Sequence, residues 1–165
     1  MDEVKVMDEQ KRAESLNRPI EYDTTQYIVT QLGDEQYGID IKLISNIVRM
    51  QKITRVPKVS PYIRGVINLR GEVIPVMSLR LKLALESDQF DNKTRIIIVK
   101  MDNATIGIIV DEVREVVTLY EDSIEMVVYN PADDRTNYIS GIGKNNGELI
   151  SLLDMNAVLS EKENA

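Results

Sequence analysis

The stretch YIRGVINLRGEVIPVMSLRLKL, residues 62–83, returns later in the same chain as YISGIGKNNGELISLLDMNAVL, residues 138–159. At a constant offset of 76 residues, Tyr62/Tyr138, Ile63/Ile139, Gly65/Gly141, Gly71/Gly147, Glu72/Glu148, Ile74/Ile150 and Leu83/Leu159 are identical pairs. Val66/Ile142, Val73/Leu149, Val76/Leu152 and Met77/Leu153 are apolar in both copies. Matching glycines as well as matching apolar positions set this apart from the chance alignment of two β-rich segments. Self-similarity at a fixed spacing marks a repeated structural unit.

The match continues upstream at an offset of 69, where Ile28/Ile97, Val29/Ile98, Leu32/Met101, Gly38/Gly107, Ile39/Ile108, Ile41/Val110, Ile44/Val113, Ile47/Val116 and Val48/Val117 line up. The offset grows by seven residues, so the second copy holds a longer connection between Thr118 and Asn137. The organisation expected is a solvated acidic tail over 1–24, one unit over 25–92, a second over 93–160 with strands exchangeable between them, and a short tail over 161–165.

Within each unit the local signals are those of short strands and turns. Tyr27-Ile28-Val29 reads as a strand, Gly33-Asp34-Glu35 as a turn and Gln36 to Ile41 as the returning strand. Ile41, Ile44, Ile47 and Val48 form a helical stripe, but β-branched side chains favour extended backbone, so one or two helical turns running into a strand are expected. A helical turn opens the 62–83 stretch, followed by a strand to Leu69, a turn at Arg70-Gly71 and a strand over Val73 to Met77. Asn146-Gly147 is the corresponding turn, suited to positive φ. Pro75 cannot donate to a ladder, which places its strand at an edge or a bulge. Ser78 and Asp154 are good caps for short helices beginning at Leu79 and Met155. About five strands per unit is the signature of a small barrel.

Composition narrows the function. The chain has 165 residues, a formal charge of −7, 43% hydrophobic residues, no Trp and one Phe, so Ile, Val and Leu must fill the interior. The charge speaks against a binder driven by nucleic-acid backbone contacts, although it leaves room for a local basic patch. No cysteine removes disulfides, thiolate metal sites and thiol nucleophiles. No histidine removes the commonest general base and metal ligand. The charged N-terminus is unlike a signal peptide, and no apolar run reaches the ~20 residues of a membrane helix. The location expected is cytoplasmic, with no membrane insertion.

The motifs that suggest chemistry dissolve on inspection. Gly141-Ile142-Gly143 with Gly147 has neither dinucleotide nor P-loop spacing and reads as a hairpin. Asp88/Asp91/Asn92 and Asp133/Asp134 lack the pattern of a calcium loop. Asp111 and Glu112, adjacent on a strand, point to opposite faces and cannot share a site. No catalytic group, metal site or cofactor is expected. Arg70 stands out beside a turn glycine, either presenting five donors to a partner or simply solvated; Asn146 takes its place in the second copy.

RGVINLRGEVIPVMSLR, residues 64–80, resembles the signature of the CheW family of chemotaxis adaptors. LGDEQYGIDIKLISNI upstream, TRIIIVKMDNATIGIIVDEV and YISGIGKNNGELISLLDMNAVL follow in the family's order, so the resemblance covers residues 25 to 160. It also extends to the regulatory domain of the kinase CheA and the amino-terminal part of CheV; a chain lacking kinase and receiver segments is similar to the stand-alone adaptor. The resemblance implies a mostly β fold of two five-stranded SH3-like barrels with an apolar groove between them. It implies a non-enzymatic bridge between the cytoplasmic tip of transmembrane chemoreceptors and CheA, recruited to receptor arrays. The family's receptor-contact positions fall on Ile44, Gly65 and Val116. Its kinase-docking hairpin edge falls on Arg55, Val56, Glu72 and Val73, with a second contact in the Glu121 to Tyr129 region. Arg70 matches the family's hairpin arginine. Its usual glutamate partner is Asn46 here, and the usual aspartate cap is Ser78, so a salt bridge at Arg70 is not expected. The alternative from another class is a small barrel that binds nucleic acid or oligosaccharide, with Tyr27, Tyr37, Tyr62 and Tyr138 as its only aromatic platforms.

Overall fold

The computed structural model describes residues 23–160; the two terminal tails expected from the sequence lie outside these residues apart from Asp23 and Thr24. In chain order the strands are β1 (Thr24–Leu32), β2 (Glu35–Asp40), β3 (Ile44–Arg49), β4 (Ile63–Leu69), β5 (Glu72–Ser78), β6 (Arg95–Met101), β7 (Ala104–Val110), β8 (Glu112–Tyr120), β9 (Glu125–Met126), β10 (Ile139–Asn145) and β11 (Glu148–Leu153). Two short helices, α1 (Leu79–Lys82) and α2 (Met155–Leu159), follow β5 and β11.

The strands form two sheets, ordered β8-β1-β2-β11-β10-β9 and β3-β6-β7-β5-β4. Each sheet therefore borrows a hairpin: β1–β2 joins the strands of the second half, and β6–β7 joins those of the first. The borrowed hairpins dock by the parallel pairs, β11 with β2 and β5 with β7; all other pairings are antiparallel. The sequence halves 25–92 and 93–160 are thus not the two sheets.

The reason for the exchange lies in two-sided burial. Ile96, Ile97, Ile98 and Val99 are all buried, which a strand with one wet face would not allow. Ile96 and Ile98 turn into their own sheet's cluster with Ile67, Ile74, Val76 and Ile109. Ile97 and Val99 turn the other way, into a central cluster with Leu32, Ile39, Met77, Leu79, Ile108, Leu153 and Met155. The second sheet has its own cluster of Val29, Val117, Leu119, Ile150 and Leu152. This is a pair of barrels joined along a shared core.

Local differences between the copies have local causes. The helical stripe begins as one 3₁₀ turn, Ile41–Leu43, because the Asp40 side chain accepts from the Lys42 N–H at 2.9 Å. The equivalent of Asp40 in the second copy is Ile109, which cannot cap, and that chain runs directly into β8. The helical turn expected at residue 62 is an ordinary turn there and a 3₁₀ turn, Asp134–Asn137, in the second copy. Pro75 sits neither in an edge strand nor at a bulge. β5 lies between β4 and β7, but β7 pairs only from Val76 onward, so no donor is required at Pro75. Arg70-Gly71 (φ 54°, 84°) and Asn146-Gly147 (φ 53°, 81°) make the same tight turn. Ser78 Oγ accepts from the Leu81 N–H and donates to Asp88 Oδ2 at 2.5 Å, so Asp88 restores the negative charge that a serine cap lacks.

Two ion pairs tie the exchanged parts together. Arg80, in α1, holds Asp111 with Nε–Oδ1 at 2.8 Å and Nη2–Oδ2 at 2.5 Å, while the Gly33 N–H donates to Oδ2 at 2.8 Å. Burial pushes the Asp111 carboxyl up, but the Arg80 guanidinium and the Gly33 amide outweigh it and hold the group below its ordinary value. The equivalent of Arg80 is Asn156, so this clamp exists once. In the longer second connection, Arg135 donates to Glu35 at 2.8 Å, and Glu35 also accepts from the Tyr37 hydroxyl at 2.6 Å. That hydroxyl, with help from Arg135, keeps Glu35 low despite its partial burial.

A depressed folded-state pKa contributes stability above the unfolded-state value and loses it as pH falls through the folded one. The stability difference between the wild-type chain and Asp111→Asn is therefore expected to be constant above about pH 5 and to shrink below about pH 4, as read by urea denaturation across pH. Gly65→Ala is expected to destabilise by well over ~1 kcal/mol in the same assay. Gly65 has φ +143°, and an added Cβ would lie 2.1 Å from the Thr54 carbonyl oxygen.

Candidate functional site

A groove along the seam is what the family resemblance implies. Side chains from both halves meet there in the central cluster, and a cleft of about 250 Å³ opens beside it, lined by Met77, Tyr62, Ile63, Ile106 and Leu159. The edge strands β3 and β8 form its rim, through Ile44, Ile47 and Val113 packed against that cluster. Ile44 pairs with Val99 and Ile47 with Ile97; both are half-buried against the central cluster. Val113 pairs with Thr30 and Val116 with Ile28, across a bulge at Arg114. Alternation sends Val117 and Leu119 into the second barrel and Val113 and Val116 toward the seam. Val113 is half-buried; Val116 is 49% exposed. The two rim strands are equivalents in the duplication, Ile44/Val113 and Ile47/Val116, and both bulge at the same place. Gly65 is buried beneath Ile53 and Thr54, so it offers no side chain and no open surface.

Arg55, Val56, Glu72 and Val73 are all exposed. Thr54 bridges Val66, and Val66 pairs with Pro75, so the 50–61 connection, β4 and β5 lie side by side, with Arg55 and Val56 toward the Ile63 end of β4 and Glu72 and Val73 toward the turn at its other end. Val73 is the apolar centre of the hairpin end, 63% exposed.

Asn46 and Arg70 line one cleft of about 240 Å³ with Ser45, Glu72 and Lys100. No hydrogen bond joins them. The Asn46 side chain instead accepts from the Ile47 N–H at 2.8 Å, which holds it at the bulge. In the second copy the equivalent of Asn46 is Glu115, which accepts from Asn145 at 3.2 Å. Arg70 is left exposed in a left-handed conformation that asparagine and glycine adopt at less cost. Arg70→Asn is expected to raise stability by up to about 1 kcal/mol, measured by urea denaturation, as Asn146 already serves the same turn.

The tyrosines that a ligand-stacking barrel would need are drawn inward. Tyr37 is buried in the central cluster, Tyr62 and Tyr138 pack against it, and Tyr27 packs against the second barrel's core. The ammonium of Lys82 lies 4.0 Å from the centroid of the Tyr62 ring and 5.4 Å from that of Tyr138, while donating to the Ser160 carbonyl at 3.1 Å. Among the described residues no group of three or more acidic, His or Cys side chains could hold a metal ion. No helix among them is long and apolar enough to cross a membrane. Sequence reasoning missed the Arg80–Asp111 clamp and the buried Lys82. Neither has a local signal, since each partner is brought from a distant part of the chain.

In sequence and in shape the chain is similar to chemotaxis proteins. Residues 26–163 match the family model described as the CheW-like domain. The chain is 40% identical over 135 residues to the chemotaxis protein CheW of Bacillus subtilis, covering 82% of this chain and 86% of that one. It is 35% identical over 136 residues to the chemotaxis protein CheW of Helicobacter pylori, covering 82% of each. The crystal structure of the scaffolding protein TtCheW from Thermoanaerobacter tengcongensis superposes with a TM-score of 0.78 at 30% identity, covering 87% of this chain and 98% of that one. With two barrels, an exchanged hairpin pair and a family match over most of its length, the chain belongs to the CheW-like family.

Proposed function

We propose that this chain is a non-enzymatic adaptor of bacterial chemotaxis that couples transmembrane chemoreceptors to the histidine kinase CheA. The receptor's helical hairpin lies along the rim of the seam, over Ile44 and Val116, with Gly65 shaping the backbone beneath the adjoining loop. The regulatory domain of the kinase docks on the surface carrying Arg55, Val56, Glu72 and Val73. Through these two contacts the protein is held at receptor arrays on the cytoplasmic side of the membrane.

The observation that carries the receptor contact is the exposed, seam-facing Val116. It sits on an edge strand beside the buried Ile28, and its equivalent on β3, Ile47, packs half-buried against the central cluster. A helical hairpin with apolar residues at i, i+3 and i+4 fits such a strip. The contact surface is apolar at its centre and separate from the hairpin surface, so the two partners can be held together. No cofactor takes part.

Val116→Asp puts a charge where an apolar side chain would be covered, at a cost of roughly 2 kcal/mol. The expected result is a fall of more than about tenfold in receptor affinity, read by co-sedimentation with a receptor cytoplasmic fragment, with binding to the kinase regulatory domain retained. Equal loss of both, in a variant that keeps its fold by circular dichroism, would show that Val116 does not belong to a separate receptor contact.

A further inference from the structure

The charge of this protein is sorted along its chain. Residues 41–71 hold seven Lys and Arg and no acid, against a charge of −7 for the whole chain. Residues 24–40 hold three acids and no base, and residues 110–147 hold eight acids against three bases. The strand β3, the 50–61 connection and β4 are therefore the strongly basic part of an acidic protein. The amino-terminal tail is sorted as well. Residues 2–9, DEVKVMDE, carry four acids and one lysine around Val4, Val6 and Met7. Residues 10–23 carry three acids and three bases, so the net negative charge of the tail sits at its far end.

The basic stretch builds a cleft. Arg55, Lys58 and Arg64 line about 480 Å³ of space with Val56, Val59 and Phe90. The Thr54–Val66 bridge holds one side of its wall, and Pro57 and Pro61 fix φ within it. Val56, Val59 and Phe90 are exposed, and the Arg64 guanidinium lies 5.9 Å from the centroid of the Phe90 ring. None of the three cations forms an ion pair among the described residues. Cations without a counter-charge, set around exposed apolar side chains, fit an acidic segment with an apolar centre.

We propose that residues 2–9 dock in this cleft of their own chain, carboxylates against Arg55, Lys58 and Arg64 and the apolar centre against the valines and Phe90. The described chain opens at Asp23, whose carbonyl accepts from the Glu121 N–H at 3.0 Å on the second sheet. The thirteen residues 10–22 span up to about 43 Å. A fold of the 138 described residues has a radius of gyration of about 14 Å, so the acidic end reaches the first sheet. A tether of that length presents its end at an effective concentration of order millimolar. A contact too weak to hold a free peptide therefore fills the cleft in the intact chain, and salt loosens it by screening the charges. The seated segment covers Arg55 and Val56 and competes with the kinase; that competition, unlike the docking, rests on the kinase contact proposed above.

The test is paramagnetic broadening in the purified chain alone, whose outcome does not depend on the kinase. The chain has no cysteine, so Gln10→Cys takes a single nitroxide label beside the acidic segment. At about 25 mM salt the amide signals of Val56, Val59 and Phe90 are expected to fall below about half their intensity in the reduced sample, and to recover at about 500 mM. Those of Met126 and Val128, on the acidic connection, are expected to keep theirs. Asp2→Asn/Glu3→Gln/Asp8→Asn/Glu9→Gln, which alters no described residue, is expected to abolish the broadening. Arg55→Gln/Lys58→Gln, at exposed positions, is expected to do the same. A nitroxide-labelled chain mixed with an isotope-enriched chain that carries no nitroxide is expected to broaden nothing, because only the tail of a second copy could do so there. Signals unbroadened at low salt, broadening indifferent to salt or to the loss of either charge set, or equal broadening in the mixture would each overturn the proposal.

Discussion

Strands β1 and β6 are buried on both faces, and the rest of the molecule is arranged around that requirement. Ile96 to Val99 alternate between a barrel interior and the shared seam, and Ile28, Val29 and Thr30 do the same in the other sheet. A strand that must be covered on two sides needs a second sheet against its back. The cheapest source of one is the other copy of the unit. Hairpin exchange supplies it, and the seam that results holds the central cluster.

Much of the apolar surface between the two sheets is taken up by the protein's own central cluster, and large apolar side chains left exposed lie at the margins, on β8, on the hairpin β4–β5 and at β9 and the residues after it. Edge positions of a sheet are where natural proteins ordinarily guard against association. On the edge strand β8 that guard is absent at Val116, an apolar side chain left exposed.

The duplication provides two equal frames, and divergence makes them different tools. Asp40 caps a turn that Ile109 cannot. Arg80 clamps Asp111, which also accepts from the Gly33 N–H, whereas Asn156 carries no charge to form such an ion pair. The seven extra residues of the second connection bring in Arg135, which reaches Glu35 at 2.8 Å and so binds the longer connection to the exchanged hairpin. The turn at residue 70 keeps an arginine where its counterpart keeps an asparagine, a choice that costs stability and is explained by neither packing nor hydrogen bonding in the isolated chain.

The sequence by itself determined the repeat, the strands and their turns, the two helix caps and the longer second connection, because each is written in spacing, glycine placement or side-chain chemistry within a few residues. It also carried the family, through the run from Arg64 to Arg80. The tertiary structure alone decided which hairpin joins which sheet, that one cluster spans both sheets, that Gly65 is buried, and that Asp111 finds Arg80 and Ser78 finds Asp88. Those outcomes depend on pairing between residues far apart in the chain. A run such as Ile96-Ile97-Ile98-Val99 states that both faces are covered, but it does not state by what.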